Sequence, residues 1–240
     1  MTPLRTALAA GLMAAGLITG LAAPAAAEDK LVYFLTPESA ALFEGAAETD
    51  DFWPLIAAFV SEERQTFCGI ASSVMALNAL DVPPPPAPQW YPSQYWNQDT
   101  IFTLKALETV KSVQRIEAEG ITLAELGELL VASGAKAEPV FASDTDVAKF
   151  RATAKAALAD PDAVMLVNVA RATLGQGGVE GGGHISPIAA YNEAADRFLF
   201  LDVARYKYKP SWITAETLYA AMNTTDSSSG KTRGYVVVRK

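Results

Sequence analysis

The sequence predicts an α+β fold, helical in its first part and sheet-rich in its second. Three observations carry this. Between residues 37 and 159, apolar residues recur at helical spacing and are punctuated by helix caps. After Asp160-Pro161 the apolar runs become short and β-branched. Two of those runs flank a turn at Asn192–Asp196, as in an antiparallel hairpin. With 50% hydrophobic and 19% charged residues, the 240-residue chain has the composition of a folded domain. Its net charge of −8 argues against a broad phosphate-binding surface, so nucleic acid is a poor partner.

Residues 1–27 have a basic start at Arg5, an Ala/Gly-rich apolar core and an Ala25-Ala26-Ala27 site. This is the layout of a cleaved secretory signal peptide, leaving a single domain over 28–240 that is exported to the periplasm or secreted. A membrane anchor is the weaker alternative, because the segment is rich in Ala and Gly and carries Pro24. No stable membrane association is expected after cleavage.

Helices are expected over Pro37–Ala47 and over Phe52–Val60, the latter with Pro54 in its first turn. Cys68–Leu80 repeats apolar residues at Ile70, Val74, Leu77 and Leu80, which gives one buried helical face before the stiff Pro83–Pro86 run. The aromatic-rich stretch Gln89–Asn97 reads as a loop packed on the body, and Ile101–Val110 as a helix. Thr122 and Glu125 form a capping box that opens a helix to Ser133, with Gly134 as its stop. Ser143 or Asp144 caps a further helix to about Ala159. Strands follow at Ala163–Ala170, Ile185–Tyr191, Phe198–Val203 and Gly234–Val238, with one helix at Thr214–Met222. The glycine run from Gly175 to Gly183 lacks the Lys-Ser/Thr and helix context of a phosphate loop. A loop that lets backbone approach a ligand is the better reading.

One cysteine and one histidine leave no disulfide framework and no Cys/His zinc site, so metal ligands are not expected. Thiol or imidazole chemistry can reside only at Cys68 and His184. Cys68 opens a helix, where unpaired N–H groups favour a thiolate, and Gly69 beside it leaves room for substrate. A buried, inert thiol is the alternative. His184 follows three glycines, and Asp202 ends the next strand. Pairing Tyr191 with Phe198 sets His184 opposite residue 205, within a pleat or so of Asp202, so that the carboxylate can orient Nδ1. The three together suit a nucleophile, a base and an orienter.

Four segments then carry a resemblance. They are Gln65–Ser72 with Leu77–Leu80, Gly183–Ile188 with Tyr191-Asn192, Leu201–Tyr208, and Gly230–Gly234. Together they resemble the phytochelatin synthase family, from about Phe52 to the C-terminus, and most closely its short prokaryotic members. The resemblance implies a papain-like, two-lobed fold with Cys68, His184 and Asp202 as catalytic residues. It implies attack on the Cys–Gly carbonyl of glutathione, release of glycine and a γ-Glu-Cys thioester. Water then gives γ-glutamylcysteine, expected to dominate in short members, or a second glutathione gives phytochelatin. No cofactor is implied; heavy-metal ions enter as glutathione thiolate complexes, part of the substrate. Arg233 is expected to hold the γ-glutamyl carboxylate, steadied by Asp226, with Gly183 also in the substrate site and Arg205 a second candidate. A homodimer stays an open alternative.

One position departs from the resemblance. Six residues before the Cys the family has a Gln that donates to the oxyanion, whereas this chain has Glu62. An ionised Glu has no donor, and losing one such donor costs about 3–4 kcal/mol. A protonated Glu62, substitution by Gln65, or a slow enzyme are the three outcomes. A cysteine peptidase on another small peptide and a thiol- or metal-binding pseudoenzyme are the alternative functions.

Overall fold

The computed structural model describes residues 31–177 and 182–240. The expected signal peptide lies outside the described residues, as do positions 178–181 of the glycine loop. Among the described residues, seven strands form one antiparallel sheet, with helices on both of its faces: a mixed α+β fold.

The first helices are α1 (Pro37–Glu44) and α2 (Phe52–Ala57), each shorter than the apolar pattern suggests. Helix α3 (Cys68–Ala79) starts where expected, but the single buried face is a correction. Every residue from Gly69 to Leu77 is buried. Small residues on its other faces (Gly69, Ala71, Ser72, Ser73, Ala76) let neighbouring elements close around it. The 89–97 loop does pack on the body: Trp96 is buried and its indole N–H donates to the Val82 carbonyl at 2.7 Å.

The helix expected over 101–110 is instead two 3₁₀ turns, Thr100–Thr103 and Lys105–Thr109, separated by the extended backbone of Leu104. A short helix α4 (Val113–Glu119) follows, capped by the Ser112 side chain and stopped by Gly120 at φ 74°. Helix α5 (Leu123–Ala132) has both halves of the Thr122/Glu125 capping box, and Gly134 beyond it takes φ 95°. Helix α6 (Val147–Leu158) is capped by Asp146; Ser143 and Asp144 lie in the preceding 3₁₀ turn.

Strands β3 (Ala163–Ala170), β4 (Gly183–Asn192) and β5 (Arg197–Phe200) form the middle of the sheet, with β7 (Gly234–Arg239) beside β3. Three strands absent from the sequence reading complete it: β1 (Leu31–Tyr33), β2 (Lys136–Phe141) and β6 (Ser211–Thr214). The order is β1-β6-β5-β4-β3-β7-β2. Strand β2 contains Pro139, tolerated because β2 is an edge. Helix α7 (Ala215–Met222) is capped by Thr214.

The sheet is apolar on both faces. Leu166, Leu199 and Val236 pack with α2, α3 and α5, while Val167, Phe198 and Tyr235 pack with α6 and α7. This explains the unbroken burial of β3. Tyr191 pairs with Phe198 as expected, but a bulge between Ile188 and Ala190 moves the register by one, so Ile188 faces Phe200. Strand β5 ends at Phe200, two residues before Asp202. The carboxylate thus sits in irregular backbone just past the sheet, close to the start of β4.

Candidate active site

Cys68 is the first residue of α3 and is half-buried. The first N–H groups of a helix lack intrahelical partners, so a thiolate or an oxyanion there meets donors and the positive end of the dipole. Helix α3 is seated on β4 by the Ser72 hydroxyl, which donates to the Ile185 carbonyl at 2.9 Å. Gly69 does not leave room for substrate: a Cβ there would lie 2.4 Å from the Ile121 side chain. Its role is close packing, which fixes the height of Cys68 above the sheet.

His184 is the second residue of β4 and is buried. Its Nε2 lies 2.8 Å from Asp202 Oδ1 and 3.0 Å from Ser186 Oγ. The expected contact at Nδ1 is thereby corrected: Nε2 meets the carboxylate, and Nδ1 is the ring nitrogen that Asp202 does not hold. Burial alone would depress the imidazole pKa. The Asp202 charge and hydrogen bond, with a smaller contribution from Cys68, outweigh burial and push it up to about 9. Burial likewise works to raise the Asp202 carboxyl, but His184 and Arg171 hold it well below the usual carboxylate range. An imidazolium–carboxylate pair is the result.

Arg171 was not singled out from the sequence. It follows β3 and grips Asp202 with two nitrogens, at 2.8 and 3.0 Å. It also donates to Gln176 Oε1 at 2.5 Å, and its guanidinium lies 4.8 Å from the Tyr208 ring centroid. Such a fork fixes both oxygens of the carboxylate. The signal in the sequence is an arginine that directly follows a strand whose one polar residue is Asn168, four residues before the glycine run.

Glu62 is 5% exposed and reaches the same place. Its backbone N–H donates to the Val203 carbonyl, and the Tyr206 hydroxyl donates to Oε1 at 2.6 Å. Oε2 is buried without a hydrogen-bond partner. A Glu62 carboxylate oxygen, Cys68 Sγ and a His184 nitrogen all lie within 4.8 Å of one another. Burial raises the Glu62 carboxyl pKa, against the lowering effects of Tyr206, His184 and Arg171.

Beside Cys68 opens a cleft of about 390 Å³ lined by Gln65, Asn168, Gly183, Ile185, Asp226 and Ser228, among others. Larger hollows elsewhere, such as the one between Val110 and Pro139, carry no comparable chemistry. Arg233 is buried behind Gly183, where a Cβ would come 3.0 Å from Arg233 Nε. Its Nη1 donates to Thr224 Oγ1 and to the Thr225 carbonyl, at 3.0 and 2.7 Å. Burial lowers its pKa and Asp226 opposes that. Cys68, His184, Asp202, Glu62, Gln65, Gly183, Asp226 and Arg233 are therefore brought together. Arg205 is not: its guanidinium stacks 4.6 Å over the Phe59 ring and borders a separate apolar hollow. Its separation from the cleft corrects the expectation of a second carboxylate-binding arginine there.

The family model described as phytochelatin synthase matches residues 24–235, nearly the whole chain and all of this cluster. The chain belongs to the phytochelatin synthase family. Among its relatives, the glutathione gamma-glutamylcysteinyltransferases 3 and 1 of Lotus japonicus are 30% and 33% identical over 86% and 87% of this chain. A glutathione gamma-glutamylcysteinyltransferase of Schizosaccharomyces pombe is 31% identical over 82%. The match covers 42%, 40% and 45% of those proteins, so this phytochelatin synthase family chain spans less than half their length.

Proposed function

We propose that this chain is a cysteine acyltransferase acting on glutathione, with Cys68 as nucleophile, His184 as acid and base, and Asp202 as orienter. The observation that carries the reading is one buried cluster: a helix-terminal thiol, an imidazole held by a carboxylate, and an open cleft beside them. The family supplies the substrate, because its named relatives are glutathione gamma-glutamylcysteinyltransferases. In this reading the fold is papain-like: the thiol comes from a helix, and the imidazole and carboxylate come from an antiparallel sheet packed against it.

The Cys68 thiolate attacks the Cys–Gly carbonyl of glutathione. N–H groups at the α3 N-terminus and the acid form of Glu62, which its burial favours, stabilise the oxyanion. The imidazolium of His184 gives its proton to the leaving amine, and glycine departs. The thioester on Cys68 is then opened by water, which His184 deprotonates, to release γ-glutamylcysteine. The amine of a second glutathione attacking the same carbonyl gives phytochelatin instead. Hydrolysis is the main route. Arg233 and Asp226 hold the γ-glutamyl end near Gly183, and metal ions enter as thiolate complexes of the substrate. The chain acts after export, with residues 1–27 removed.

Mixing reduced, chelator-treated protein with glutathione and quenching within one turnover tests this directly. Cys68 is expected to gain the mass of one γ-glutamylcysteinyl group, with one glycine released. Absence of the adduct under reducing conditions, or equal turnover of α-linked Glu-Cys-Gly, overturns the reading.

A further inference from the structure

The three side chains that crowd the nucleophile have a second competence. Cys68 Sγ, a His184 nitrogen and a Glu62 carboxylate oxygen lie mutually within 4.8 Å. In a tetrahedral zinc site, bonds of about 2.0–2.3 Å put neighbouring ligand atoms about 3.3–3.8 Å apart. Closing that gap takes side-chain shifts of about 1 Å or less. Two further features resemble a built metal site. Asp202 binds His184 Nε2 at 2.8 Å, so the ring presents Nδ1 with a carboxylate behind it, the arrangement that orients metal-binding histidines. Tyr206 fixes Oε1 of Glu62, while Oε2 is buried and lacks a protein partner. The half-buried Cys68 opens on the cleft, which gives a fourth position for water or a substrate thiolate.

We propose that Cys68, His184 and Glu62 form a three-ligand site for a thiophilic divalent cation of the zinc or cadmium type. Thiolate, imidazole and carboxylate suit such d¹⁰ ions, and two anionic ligands balance the dipositive charge. Binding is ligand exchange without redox: the protons of Cys68, Glu62 or imidazolium leave to solvent as the three coordinate bonds form. A coordinated Sγ does not attack a carbonyl, so the free ion acts as a reversible inhibitor. That consequence, unlike the site, rests on the function proposed above. Glutathione competes for the ion and reopens the site.

The test uses chelator-stripped, reduced full chain without glutathione, titrated with Co²⁺ and Zn²⁺. One equivalent of Co²⁺ is expected to give tetrahedral ligand-field bands and a thiolate-to-cobalt charge-transfer band, and Cys68→Ser is expected to remove the latter. Glu62→Gln is expected to weaken Zn²⁺ binding at least about tenfold in competition with a chromophoric chelator. No charge-transfer band at one equivalent, or Zn²⁺ affinity within about twofold of the unsubstituted chain in Glu62→Gln or in His184→Gln, overturns the site. Measuring both variants keeps the answer independent of either one's folding. Acyl-adduct formation in chelator is read separately: an adduct without the cobalt band removes only the metal site, and a band without the adduct removes only the acyl-transfer reading.

Discussion

At the scale of single residues, the arginine behind the carboxylate is the least expected participant. Asp202 is wholly buried, and a buried carboxylate is tolerated only when paired and hydrogen-bonded. It receives His184 on one oxygen and both arms of Arg171, plus the Ala204 N–H at 2.9 Å. Arg171 therefore acts through Asp202 on the orientation of the imidazole. Replacing it with Met leaves the carboxylate held on one side only. We expect acyl-enzyme formation to slow about 100-fold, the scale of a misplacement of about 1 Å, with KM for glutathione little changed. Arg171→Lys keeps the charge and loses the fork, and is expected to recover only part of the rate. Stopped-flow release of glycine checks both. A loss confined to KM would contradict the positioning role. Cys68 and His184 were legible in the sequence because each is the sole member of its type. Arg171 was not, because its partner lies 31 residues away and only the folded sheet brings them together.

At the scale of elements, legibility followed local chemistry. The capping box of α5, the start of α3 and the span of β3 are written in contiguous residues, and each appears as read. Strands β1 and β6 are three and four residues long, too short for alternation to register. Strand β2 alternates, but Pro139 and the charges at Lys136 and Glu138 disguise it as loop; they are the marks of an edge strand. The bulge in β4 is invisible to a pairing rule that assumes one residue per partner. The docking of α3 gives a prediction of its own. Gly69→Ala drives a methyl into Ile121, whose atoms stand 2.4 and 2.6 Å from the Cβ position. A loss of about 1–3 kcal/mol in urea unfolding is expected, along with reduced activity as Cys68 lifts from His184. Adding Ile121→Ala vacates the collision and is expected to restore much of both. Equal stability of Gly69→Ala and the parent chain would show that α3 is not seated by this contact.

At the scale of the whole molecule, one buried acid away from the site links stability to pH. The fold sandwiches an apolar sheet between two helical layers, and most of its acidic residues remain at the surface, where water screens them. Apart from Glu62 and Asp202 at the site, Asp51 at the start of α2 is the exception among the described residues: it is 3% exposed and its Oδ2 has no hydrogen-bond partner. Burial, reinforced by the negative charges of Asp50 and Asp160, pushes its pKa up to about 8. In the unfolded chain an aspartate titrates near 4, at about 3.9. Below that value both states carry the proton and Asp51 adds no pH dependence. Between about 4 and 8 the folded chain keeps a proton that the unfolded chain releases, so stability falls as pH rises, by at most about 1.4 kcal/mol per unit. Above about 8 both states are ionised and the loss levels off. Asp51→Asn keeps the shape and has no proton to lose. Its melting temperature is therefore expected to rise relative to the parent chain between pH 5 and pH 8, with the difference widening steadily across that window. Other titrating groups are common to both proteins and cancel in the difference. A difference that stays flat from pH 5 to pH 8 would mean that Asp51 ionises in the folded state as readily as in the unfolded one, with water reaching its carboxylate.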